Sequence, residues 1–61
     1  MLARNPQSAI GHLVRGSVLE GRGQQAEARA EYEQVVTLAQ PGSGPRLLAE
    51  AALARLQSGA P

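Results

Sequence analysis

The sequence predicts an all-helical fold, and three observations lead there. No segment alternates apolar and polar residues as a half-buried strand would. Ala, Leu, Gln, Glu and Arg, all good helix formers, recur through the chain. Two punctuation points, Gly21-Arg22-Gly23 and the stretch PGSGP from Pro41 to Pro45, divide it into segments of helical length. That gives three helices in an all-α chain.

The first helix is expected over residues 6–20. Asn5 can cap its free amides and Pro6 suits the first helical position, with Ser8 as the other candidate cap. Ile10, Leu13, Val14 and Val18 recur at helical spacing and form one stripe, with Ser17 and Gly21 among them, while His12, Arg15 and Arg22 lie off it. The second helix is expected over residues 24–39, where Ala28, Tyr32, Val35, Val36 and Ala39 share a face. Its other side carries Glu27, Arg29, Glu31 and Glu33, read as solvated charges, with Arg29 and Glu33 spaced to pair.

The third helix is expected over residues 46–57 and differs in kind. Leu47, Leu48, Ala51, Ala52, Leu53, Ala54 and Leu56 cover most of its circumference, leaving a narrow polar strip at Arg46, Glu50 and Gln57. A helix apolar nearly all round needs neighbours on several sides. Two companions from one small chain leave part of that surface uncovered.

Length and composition narrow the function classes. The 61 residues make a single domain over 1–61, or a piece of a longer array. A chain so short buries only about 60% of the surface its unfolded form exposes, so its stability is expected to be marginal. With no Cys and one His, neither disulfides nor a structural metal can supplement the core, which leaves a partner chain. The formal net charge of +1 comes from six Arg, no Lys and five Glu, spread along the chain rather than gathered into a basic stripe. Tyr32 is the sole aromatic residue, so there is no stacking platform, and nucleic acid is not an expected partner. No apolar run has the length of a membrane span or of a signal-peptide core, and a soluble, cytoplasmic protein is expected. The all-Arg basic set with abundant Ala, Gly and Pro suits a GC-rich bacterial gene.

One short motif raises a different possibility. Gly21, Gly23 and Ala26 match G-x-G-x-x-A, the spacing of a dinucleotide-binding loop. That loop needs a strand before it, a helix after it and an acid about 20 residues on for the ribose. Here the preceding segment is helical and position 46 is Arg. The two glycines are better read as the end of one helix and the start of the next. Elsewhere, His12 has no acid at ligand spacing, Ser8 and Ser17 have no orienting base, and Glu27 and Glu31 sit on a helix flank with no pocket. No catalytic, cofactor-binding or metal-binding residue is expected, and no enzymatic activity.

From Ala9 onward, AIGHLVRGSVLEGRGQQAEARAEYEQVV resembles one tetratricopeptide repeat, a helix-turn-helix unit of about 34 residues. Gly16 matches the small residue of the first helix, Gly23 the turn, Ala28 the small residue of the second helix and Tyr32 the aromatic that follows it. Val35 extends that packing face. MLARNP looks like the end of a preceding repeat, with Leu2 and Pro6 at positions often apolar and proline, and Pro41 follows the second helix near another frequent proline. The resemblance implies an antiparallel helical hairpin with a third, C-terminal helix, which would be a partial next repeat or a solubilising cap. Positions 12 and 15, often large and apolar in that family, are His and Arg, which leaves a plain three-helix bundle as the other reading.

The resemblance implies a protein-interaction module that binds a peptide or helix of a partner protein. The expected partner surface is Ile10, Leu13, Val14, Ser17, Glu20 and Gly21 on the first helix, joined by Leu53 on the third. Gly16, Ala28, Tyr32 and Val35 would pack the helices together. The alternative is a structural self-assembly unit, a helical homo-oligomer formed through the same apolar faces.

Overall fold

The computed structural model describes the backbone of residues 6–58 and side chains from Ser8 onward. Among these residues the chain forms α1 (Pro6–Gly21), α2 (Gln25–Leu38) and α3 (Gly44–Ser58) and no strand. This is the all-α hairpin with a third helix. The Asn5 cap and the Leu2 position lie outside the described residues.

Each reversal is made by one glycine with a positive φ. At the end of α1, the Gly23 amide donates to the Glu20 carbonyl (3.0 Å) and the Gln24 amide to the Leu19 carbonyl (2.9 Å), with Gly23 at φ +82°. This is a Schellman termination, and it leaves the helix carbonyls satisfied without a side chain. After α2, Gln40-Pro41-Gly42-Ser43 forms a turn closed by the Ser43 amide on the Gln40 carbonyl (3.0 Å), with Gly42 at φ +81°. Proline second and a left-handed glycine third define a type II turn.

α3 begins at Gly44, two residues before the expected Arg46. Ser43 is the reason: its carbonyl accepts from the Leu47 amide (2.9 Å) and its hydroxyl from the Arg46 amide (3.4 Å). It therefore caps the helix, and Pro45 falls in the first turn, where no amide hydrogen is needed.

The core is built largely from small residues. Ala9, Ala28, Tyr32, Val35, Ala49 and Ala52 are buried, and Leu13, Leu19, Val36, Leu38, Ala39, Leu53 and Leu56 pack half-buried against them. α1 presents Gly16 to Tyr32 of α2, and α3 buries Ala49 and Ala52. A Cβ at Gly16 would stand 2.7 Å from Tyr32 Cε1, so the missing side chain is the recess that holds the tyrosine ring.

The orientation of α1 departs from the sequence expectation. Its buried face comprises Ala9 and Gly16, with His12, Leu13, Leu19 and Glu20 half-buried, whereas Ile10, Val14 and Val18 remain exposed. His12 can face α2 because it has a partner there: Nδ1 lies 2.6 Å from Glu31 Oε1, the ring N–H donating to the carboxylate. Glu31 is therefore an interhelical residue, not one of the solvated charges. Arg29 and Glu33 approach to 3.9 Å along the exposed side of α2, and Arg46 and Glu50 pair at 2.9 Å on α3.

Candidate functional site

Two short reversals make α1 and α3 run in the same direction, both antiparallel to α2. Between them lies an open groove of about 340 Å³, to which Tyr32 of α2 also contributes. Leu13, Val14 and Ser17 form one wall, Leu48 and Arg55 the other, and the buried Tyr32 and Ala52 lie between. Ile10, Val14 and Val18 on α1 are 47%, 56% and 51% exposed, and Leu47 and Leu48 on α3 are 54% and 61% exposed. Five large aliphatic side chains on these two helices are thus left about half exposed or more.

One end of the groove is polar. Arg55 Nη2 donates to both oxygens of the Glu20 carboxylate at 2.8 Å, and the Tyr32 hydroxyl donates to Glu20 Oε1, also at 2.8 Å. One carboxylate thus links all three helices. The Arg55 bonds, then the Tyr32 hydroxyl, hold the Glu20 carboxyl below its ordinary value. Burial, then the bond to Glu20, raises the Tyr32 phenol, and Glu20 raises the Arg55 guanidinium.

The sequence-derived residues fall into distinct places. Leu13, Val14 and Ser17 line the groove, Ile10 lies exposed on the same helix, and Gly21 is exposed as the last residue of α1. Glu20 is engaged by Arg55 and Tyr32. Leu53 is half-buried against the core, and the α3 leucine that shares the groove with Leu13 and Val14 is Leu48. Gly16, Ala28, Tyr32 and Val35 are all buried. Leu48 and Arg55 lie outside the site that the sequence suggests. The signal for them is a spacing of 35: Leu13 with Leu48, Ser17 with Ala52 and Glu20 with Arg55.

The amides of Arg22, Gly23 and Gln24, which a phosphate loop would direct at its ligand, all donate back to the carbonyls of Val18, Leu19 and Glu20. His12 and Glu31 are bonded to each other across the hairpin. Among the described residues no three His, Cys, Asp or Glu side chains are grouped to hold a metal ion, and no helix is long and apolar enough to cross a membrane. No protein-family model, curated protein or solved structure matches the chain.

Proposed function

We propose that this chain is a protein-interaction module, a tetratricopeptide-like helical scaffold with no chemistry of its own. The observation that carries the reading is the groove between α1 and α3, where Leu13, Val14, Leu48 and Ala52 stand beside the polar Ser17, Tyr32 and Arg55, on two helices that also expose Ile10, Val18 and Leu47. Burying those side chains releases apolar surface from water at about 25 cal/mol per Å², so covering the face stabilises both the complex and a marginal fold. The second reading, a helical homo-oligomer, draws on the same exposed aliphatics.

Selection from a displayed peptide library tests the first reading. The parent is expected to enrich sequences with an apolar consensus, and the double variant Val14→Glu/Leu48→Glu is expected to lose them. Both side chains are more than half exposed, so the fold survives the change. A parent that enriches nothing and sediments as a monomer removes the reading, whereas a parent that enriches nothing and sediments as a dimer replaces it with the second.

A further inference from the structure

α3 is fastened to the hairpin differently from the way α1 and α2 are fastened to each other. Between α1 and α2 the Tyr32 ring fills the recess at Gly16, its hydroxyl reaches Glu20, and His12 Nδ1 meets Glu31 at 2.6 Å. The side chains that α3 buries are those of Ala49 and Ala52, one methyl group each, with Leu53 and Leu56 half-buried. Side chains so small remove little apolar surface from water. At its near end α3 follows the Gln40-Pro41-Gly42-Ser43 turn, whose first three residues are exposed and where a Cβ at Gly42 would meet nothing within 4 Å. Its polar fastening lies about 18 Å further along the helix, at 1.5 Å per residue, where Arg55 Nη2 donates to both Glu20 oxygens.

We propose that α3 is a latched helix: it leaves the α1–α2 hairpin as a unit, hinged at the Gln40–Ser43 turn, while the hairpin stays folded, and the Glu20 carboxylate is the latch that holds it closed. The groove then has its second wall, Leu48 and Arg55, only in the latched state. The inference goes beyond the interaction-module reading and holds whatever the groove binds. Glu20 suits the role because it belongs to both units. When Arg55 leaves, the Tyr32 hydroxyl still donates to Oε1, so the hairpin keeps its own bond and only the bonds to Arg55 are lost. Those bonds are charge-assisted, and removing the charge from the acceptor weakens them. The groups that face Glu20 are Arg55 from α3 and Tyr32 from α2, while the other charged pair on α3, Arg46 and Glu50, bond to each other at 2.9 Å. Held by Arg55 first and Tyr32 second, the Glu20 carboxyl titrates below its ordinary 4.5. The latch is therefore closed above that value and released as pH falls through the folded one.

Native-state hydrogen exchange on the full chain, read amide by amide as protection factors, tests the proposal. An undocked α3 is a lone helix of 15 residues, marginal in water, so its amides exchange when it leaves. The amides of Ala52 to Leu56 are expected to be about tenfold or more less protected than those of Leu13 to Val18 and Tyr32 to Val36. Glu31→Ala cuts a bond inside the hairpin, and that bond is the same whether α3 is docked or not. It should therefore speed exchange in α1 and α2 and leave α3 unchanged. Arg55→Gln should speed exchange in α3 by about fivefold, the order of a well-placed but partly exposed ion pair. Acidifying the parent through the folded Glu20 value should do the same. Glu20→Gln, unlatched already at neutral pH, should respond less to acid. Equal protection in all three helices, with Glu31→Ala moving α3 as much as the hairpin, means that the chain opens only as a whole and overturns the inference. A less protected α3 that neither Arg55→Gln nor acid affects shows that Glu20 is not its latch, and overturns it too.

Discussion

Gly16 and Gly11 lie in the same helix five residues apart, and replacing each by alanine should move stability in opposite directions. Alanine is the better helix former by about 1 kcal/mol in a helix interior, and at Gly11, where an added Cβ meets nothing within 4 Å, that gain stands alone. At Gly16 the added Cβ would lie 2.7 Å from Tyr32 Cε1, 2.9 Å from Cδ1 and 3.0 Å from Cζ. The ring is 3% exposed and its hydroxyl is held by Glu20, so it has little room to give way. Overpacking costs about 1–3 kcal/mol, and displacing the ring forfeits a hydrogen bond of about 1 kcal/mol. After the propensity gain is subtracted, Gly16→Ala is expected to lose about 1–3 kcal/mol. For a domain of this size each kcal/mol moves the midpoint by about 4–8 °C, so thermal melts followed by circular dichroism at 222 nm separate the two variants readily. Gly16→Ala/Tyr32→Leu should recover part of the loss. A Gly16→Ala chain that melts at or above the Gly11→Ala chain refutes the proposed recess.

Ala28 is fully buried between the helices, and Ala28→Leu is expected to destabilise by about 1–3 kcal/mol in urea titration, with the slope unchanged. Gly23→Ala and Gly42→Ala force alanine to a φ near +80°, and each should cost about 1 kcal/mol by the same measurement, although an added Cβ meets nothing at either place. The carboxylate shared by three helices sets a pH window. Glu20 titrates lower in the fold than its ordinary 4.5, so its contribution is present above that value and is lost as pH falls through the folded one. Tyr32 titrates above its ordinary 10.0, so its contribution is present below that value and is lost as pH rises through the folded one. Glu20→Gln should flatten the acid limb of the midpoint-against-pH curve and shallow the alkaline limb, where burial of Tyr32 still acts.

The number of helices and their breaks were legible because Gly21 to Gly23 and Pro41 to Pro45 interrupt otherwise continuous helical patterns. The inward face of α2 was legible too, since Ala28, Tyr32 and Val35 combine apolar character with helical spacing. The inward face of α1 was not. Periodicity picks out Ile10, Val14 and Val18 as a stripe, but it cannot say which neighbour covers them. α1 instead packs through Ala9 and Gly16, whose lack of bulk permits close approach, and through the half-buried His12, whose ring nitrogen is hydrogen-bonded to Glu31. The start of α3 was readable in principle from Ser43, two residues before a proline that suits a first turn. Glu20 reads as a surface residue in the sequence because its partner Arg55 lies 35 positions away, beyond any spacing within one helix.

The two connections that reverse the chain are only a few residues long, and each depends on one glycine. Most native neighbours are therefore close in sequence, and little chain entropy has to be spent before packing rewards it. Small helical proteins of this kind fold in microseconds to milliseconds. A chain of this topology that opens therefore recloses quickly. Under the interaction-module reading proposed above, association at the exposed face would then be set by diffusion and fit, and not by waiting for the chain to refold.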